Sequence, residues 1–207
     1  MLASVKLARF SKVYSKTIIS CALFFLTIYD IVTDTEIQEI FMAISPFIIA
    51  SISADGFIAR NSSHLSLEWT SKEDTQFFVK RTKQAGVIVM GLNTYKTIGK
   101  PLPERLNIVY SNTEKNFPGA EVTEADPGDL LADLEKRGYK EVAICGGSSI
   151  YTMFMERRLI KKLYLTIEPV VFGEGLKLFQ KEIDAKLDLR AVEKLNDNTV
   201  LLEYNIQ

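Results

Sequence analysis

The sequence predicts an α/β fold: a single domain with a mainly parallel central sheet, helices on both faces and an antiparallel C-terminal hairpin. Three observations carry this. Short apolar runs such as residues 47–52 and 87–90 have the near-continuous hydrophobicity of strands buried on both faces. Segments with acids or proline at their starts and glycine at their ends lie between these runs, as helices do. Residues 187–193 and 199–205 alternate in polarity around Asn196-Asp197-Asn198, as a hairpin does. Alternating β and α units favour a parallel sheet, and ligands of such sheets bind outside the carboxyl ends of the strands.

Each element follows from local chemistry. Residues 47–52 form the first strand of the pattern. Ser71 is placed to cap a helix with Glu73 and Asp74 in its first turn, where the helix dipole favours acids. That helix runs to about Ala85, and Gly86 stops it. Residues 87–90 are the next strand; Gly91 breaks it, and Asn93 is expected to cap a short helix from Thr94. Residues 106–110 form a third strand. Pro127 opens a helix that Gly138 ends. Residues 141–145 form a strand, Gly146-Gly147 leads into a helix ending near Arg158, and residues 162–167 form another strand.

Residues 1–41 differ from the rest. Lys6, Arg9, Lys12 and Lys16 precede the apolar run Thr17 to Tyr29, and Asp30, Asp34, Glu36 and Glu39 follow it. A basic start with an apolar stretch resembles a signal or anchor segment. The run is 13 residues long, against ~20 for a spanning helix, and no small-residue cleavage site follows. Three readings stand: a cytoplasm-facing N-terminal anchor, an amphipathic helix packing on the domain or a partner, or an artefact of start-codon choice, Met42 being the natural start. The expected organisation is an extension over 1–41 and a catalytic domain over 42–207.

Composition narrows the chemistry. A net charge of −1 points to neither nucleic acid nor an acidic membrane surface. Cys21 and Cys145 form no zinc or disulfide framework, so the reading is a reducing, cytoplasmic setting. His64 is the single histidine, which removes most His-based metal and triad chemistries, and no metal is expected. It reads as a solvent-facing loop residue.

Three glycine-bearing strand ends stand out: Met90-Gly91, Cys145-Gly146-Gly147 and Gly173-Glu174-Gly175. Paired glycines before a helix allow close backbone approach to a ligand, and the helix start offers N–H groups to a pyrophosphate. The same pair also reads as a plain tight turn, and it is not the G-x-G-x-x-G fingerprint. Asp74 and Phe78, four apart on one helix face, can hold a flat nitrogen-rich heterocycle; they also read as a surface acid and a core aromatic.

The stretch from Met90 to Val109, MGLNTYKTIGKPLPERLNIV, resembles the dihydrofolate reductase family pattern M-G-x-x-T-[WYF]-x-[ST]-I-G-[RK]-P-L-P-x-R-x-N-I-V. Residues 49–59 resemble that family's first strand and mobile loop, residues 144–151 its glycine turn, and residues 162–166 its K-L-Y-L-T segment. The resemblance covers about residues 46–207 and implies reduction of 7,8-dihydrofolate to tetrahydrofolate by a reduced nicotinamide cofactor, with hydride passing to pterin C6 and a proton to N5.

The resemblance implies roles residue by residue. Asp74 matches the carboxylate that grips the pterin, with Glu73 as the alternative because of a one-residue insertion after Trp69; the Phe78 match favours Asp74. It is the family's single buried carboxylate, and Thr166 matches its hydrogen-bonding threonine. Arg105 matches the arginine pairing with the folate tail carboxylate. Ile98 and Leu102 match the wall around the benzoyl group. Ser51, Cys145 and Tyr151 match positions lining the pterin and nicotinamide. Gly146 and Gly147 match a pair joined by a non-proline cis peptide. Ala50, Ile58, Gly91, Thr94, Ser111, Ser148, Ser149 and Ile150 match cofactor-contacting positions. Leu92 stands where an arginine usually receives the NADPH 2′-phosphate, and Asn112 where another cation helps, so the cofactor is NADPH with NADH as the alternative.

Two rival functions share part of this evidence. A riboflavin-pathway 5-amino-6-ribosylaminouracil phosphate reductase shares the fold, as well as Asp55-Gly56 and Gly173-Glu174-Gly175, but has no need of residues 98–103 followed by Arg105. A non-catalytic nucleotide-binding scaffold has no need of Asp74, Thr166 and Arg105 together. Monomer and homodimer are both compatible with the sequence.

Overall fold

A computed structural model describes residues 44–207; the expectations for residues 1–41 lie outside these. The first strand, β1 (Ser45–Ser53), is buried along most of its length. A short strand β2 (Phe57–Ala59) follows, then helix α1 (Lys72–Ala85). Ser71 caps α1 as its side chain accepts from the Asp74 amide at 3.2 Å, and Gly86, at φ 74°, ends it in the left-handed region. Next come β3 (Val87–Gly91), α2 (Leu92–Ile98), β4 (Leu106–Tyr110) and β5 (Glu121–Thr123). Helix α3 (Pro127–Lys136), capped by Asp126, β6 (Glu141–Ile144) and α4 (Ser148–Glu156) follow. The chain closes with β7 (Lys162–Glu168), β8 (Leu176–Lys177), β9 (Leu187–Lys194) and β10 (Val200–Ile206).

The main sheet has the order β5-β4-β3-β6-β1-β7-β10-β9. Pairing is parallel from β5 through β7 and antiparallel for β7-β10 and β10-β9. Strand pleat puts alternate residues on opposite faces. Phe47, Ile49, Ile88, Met90, Val109 and Ala143 form one buried cluster, against which Phe77 and Phe78 of α1 and Leu92 and Ile98 of α2 pack. The Arg81 guanidinium on α1 lies 3.9 Å over the Phe47 ring and binds Glu141 of β6 through both nitrogens, at 2.9 and 2.6 Å. The intervening residues Ile48, Val87, Val89, Ile108 and Ile144 are equally buried on the other face. There the Tyr110 and Phe154 rings meet edge to face at 6.2 Å, which places α4 on that side. Helices thus cover both faces, as expected.

Two local expectations are corrected. Asn93 does not cap α2. The helix begins directly after Gly91, its cap residue, because β3 stays paired through Gly91, whose amide donates to the Gly146 carbonyl at 2.7 Å; Asn93 falls inside the first turn. The antiparallel ribbon of β2 and β8 was not expected. Its strands are too short to show a period. It forms where Gly175 lets the backbones meet: a Cβ there would lie 2.4 Å from the Ala59 carbonyl oxygen.

Candidate functional site

A cavity of about 1090 Å³ opens at the carboxyl ends of the parallel strands, where strand order turns back between β3, β6 and β1. One wall comes from β1, β7 and the start of α1. Parallel pairing puts Ser51 beside Thr166 and Ser53 beside Glu168, so these four side chains share a face. Asp74 faces them from the first turn of α1, 6% exposed. Ser51 Oγ donates to Asp74 Oδ2 at 2.8 Å, and Thr166 hydrogen-bonds the same carboxyl. Burial raises the Asp74 pKa against the lowering by the Thr166, Ser51 and Thr70 hydroxyls, and the nearby Glu168 charge raises it further. Asp74 and Phe78 both line the cavity, one turn apart. Glu73 does not: Asn196 Nδ2 donates to it at 3.0 Å, and that contact lowers its pKa.

Glu168 is a second buried carboxylate, 1% exposed, where a single one was expected. Ser71 donates to Glu168 Oε1 from its amide at 2.9 Å and its hydroxyl at 2.8 Å, and Thr199 Oγ1 donates to Oε2 at 3.0 Å. Glu168 therefore anchors the start of α1 and with it Asp74. Its spacing of two from Thr166 on a strand was the available signal. Asp55 likewise binds a distant loop, accepting from the Phe172 amide at 3.1 Å and the Gly173 amide at 2.6 Å. The Ser53 hydroxyl, which donates to Asp55 Oδ1 at 2.6 Å, and these two amides lower its pKa to about 2.

The opposite wall is mostly backbone. The Cys145 amide donates to the Val89 carbonyl at 2.8 Å, and Gly146–Gly147 is a cis peptide. Gly146 has φ +101°, and a Cβ on it would stand 2.9 Å from the Tyr151 hydroxyl. A Cβ at Gly91 would stand 3.1 Å from Ile150 Cγ1. Behind this turn α4 begins at Ser148 with no side-chain cap, so its first N–H groups are available to an anion. Gly147, Ser148, Ser149, Ile150 and Tyr151 line the cavity. Tyr151 donates to the Ile49 carbonyl at 2.9 Å, which ties α4 to β1. Burial pushes the Cys145 and Tyr151 pKa values up, so both stay protonated. This wall, with its close backbone approach and uncapped helix start, fits a dinucleotide.

Most of the expected site residues meet at this cavity: Ala50, Ser51, Ile58, Asp74, Phe78, Gly91, Thr94, Ile98, Leu102, Ser111 and Cys145, besides the α4 residues above. Thr166, Arg105 and Gly146 are outside its lining. Thr166 lies behind Asp74, 2% exposed. Arg105 donates from Nε to the Pro103 carbonyl at 2.9 Å and from Nη1 to the Thr82 hydroxyl. The Ser148 hydroxyl is engaged, donating to the Lys177 carbonyl at 2.7 Å. His64 is not solvent-facing. Its side chain is 15% exposed, packs 5.5 Å from Phe172 and 6.2 Å from Trp69, and lines the cavity, because residues 60–69 fold back over the site. Among the described residues no group of three or more His, Cys, Asp or Glu side chains is placed to hold a metal, and no helix is long and apolar enough to cross a membrane.

Comparison with known proteins is consistent with this geometry. The family model described as dihydrofolate reductase matches residues 47–182. A dihydrofolate reductase of Haloferax volcanii is 30% identical over 118 residues, covering 53% of this chain and 59% of that protein. One from Buchnera aphidicola is 31% identical over 129 residues, covering 61% and 73%. Among solved structures, a putative riboflavin biosynthesis protein from Shewanella superposes with TM-score 0.68 at 24% identity, over 79% of this chain and 99% of that one. A dihydrofolate reductase from Enterococcus faecalis, complexed with NADP(H), superposes with TM-score 0.61 at 24% identity, over 81% and 98%. These two structural likenesses are likenesses of fold.

Proposed function

The chain belongs to the dihydrofolate reductase family, and on that premise we propose that it reduces 7,8-dihydrofolate to tetrahydrofolate with a reduced nicotinamide dinucleotide, NADPH or NADH. The observation that carries this reading is the Asp74 carboxyl, buried on the cavity wall beside Phe78 and held by Ser51 and Thr166. A pterin presents adjacent N–H donors, from its ring N3 and its 2-amino group, on one edge. A fixed carboxylate accepts both at once, and the Phe78 ring packs against the heterocycle. Ser51 and Thr166 keep the acid in one orientation, so the ring is aligned before reaction.

The glycine turn and the α4 start would hold the pyrophosphate. When bound, the cofactor supplies the hydride that pterin C6 receives. The chain's own part is alignment, exclusion of stray water and charge. Asp74 favours the cationic form of the substrate, and water entering past residues 55–59 can bring the proton to N5. Ile98 and Leu102 would pack on the benzoyl group, and Arg105 would leave Thr82 to meet the tail carboxylate. The test is absorbance at the nicotinamide band with purified full-length chain, dihydrofolate and each cofactor in turn; absence of turnover with both overturns the proposal.

The ribosyl-aminopyrimidine phosphate reductase reading has one observation of its own, the superposition on riboflavin-pathway proteins. Turnover of that substrate and not of dihydrofolate would establish it in place of the first.

A further inference from the structure

The far end of the cavity bears on which dinucleotide fits, an inference that rests on the dinucleotide reading above. From β6, which leads into the glycine turn, the sheet continues outward through β3 to β4 and β5. With strands ~4.8 Å apart, the end of β4 stands about 10 Å from the turn, within the length of an adenosyl group whose pyrophosphate sits at α4. The cavity lining there includes Leu92, Asn93, Tyr110, Asn112, Thr113 and Glu124.

Among the described residues this end offers a phosphate no unpaired cation. Glu124 is the one charged side chain among those six. The nearby lysines are already engaged: Lys115 pairs with Glu124 itself, and Lys96 with Glu114. The cation that lines the cavity, Lys100, sits between Ile98 and Leu102 instead.

We propose that the cofactor is NADH and that Glu124 determines the choice. Its carboxylate accepts hydrogen bonds from the ribose hydroxyls, as an acidic residue does in NAD-binding sites, whereas a 2′-phosphate would have to displace that carboxylate from Lys115. Asn112 offers the ribose a neutral partner.

The test measures binding to the full-length chain as well as turnover. NADH and NADPH are titrated by nicotinamide fluorescence, and bound NADH is competed with adenosine 5′-monophosphate and with adenosine 2′,5′-bisphosphate. NADH is expected to bind about tenfold or more tighter than NADPH, with the monophosphate the better competitor. Glu124→Gln frees Lys115 and is expected to erase that preference while NADPH binding improves. Equal or tighter NADPH binding by the unaltered chain overturns the inference, as does binding of neither nucleotide. If NADH binds preferentially but dihydrofolate is not reduced, the reaction assignment fails and the cofactor assignment stands.

Discussion

The β1–α1–β7 side of the cavity is built from side chains, whereas the β3–β6–α4 side is built from backbone. On the first side Asp74 is buried and bonded by the Ser51, Thr166 and Thr70 hydroxyls, and Glu168 clamps the helix start that carries it. On the second side Gly91, Gly146 and Gly147 clear the space, and an uncapped helix start supplies the polar groups. A side-chain wall distinguishes one heterocycle from another, because its donors and acceptors occupy fixed points. A backbone wall accepts a phosphate of any parent molecule, so discrimination on that side falls to residues further out, such as Glu124.

Substitutions can break or sharpen this contrast. The largest effect is expected from Asp74→Asn, which keeps the shape and removes the charge: turnover of dihydrofolate should fall roughly 10²- to 10⁴-fold, with cofactor binding nearly unchanged. The same variant tests the environment of the acid. A carboxyl whose native pKa is raised binds its proton more tightly when folded. It therefore supports stability at low pH and loses that support as pH rises from the unfolded value through the native one. Denaturation midpoints across that window should show Asp74→Asn gaining on the parent protein as pH rises, with the difference constant above it.

Gly146→Ala attacks the backbone wall. Its Cβ would stand 2.9 Å from the Tyr151 hydroxyl at φ +101°, and holding alanine there costs about 1–3 kcal/mol. Weaker nucleotide binding in titrations is expected, with little change in affinity for folate analogues; equal loss of both would erase the contrast between the walls. Tyr151→Phe removes the bond to the Ile49 carbonyl that joins the two walls. A loss of about 1 kcal/mol in denaturant unfolding is expected.

The smallest effect on neutral-pH turnover belongs to Glu168→Gln, a few-fold at most, because glutamine can still accept from Ser71. Its signature lies in the pH profile of kcat. Removing the charge that raises the Asp74 pKa should move the acid limb to lower pH. A purely structural anchor would leave that limb in place.

Much of this is legible in the sequence. Ser71, Gly86 and Pro127 marked helix boundaries correctly because capping is decided within a few residues. The preference for Asp74 over Glu73 rests on the family match at Phe78; Asp74 lines the cavity while Glu73 bonds Asn196. His64 was misjudged because a polar loop looks solvent-exposed until its partners are known. Trp69 is near it in sequence, but Phe172 is supplied by a segment more than a hundred residues away.

The sequence by itself determined the four α-helices and seven of the ten strands described, the glycine turn at the sheet's carboxyl edge and the family resemblance, because each depends on short-range periodicity or a contiguous motif. Tertiary structure alone decided that Glu168 would be a second buried carboxylate, that Arg105 would rest on Thr82, and that the lysines near the outer cavity would be spent on Glu114 and Glu124. The physical reason is common to all three. A charge's effect depends on which other charges and donors stand within a few ångströms of it, and the order of strands across the sheet, rather than order along the chain, brings them there.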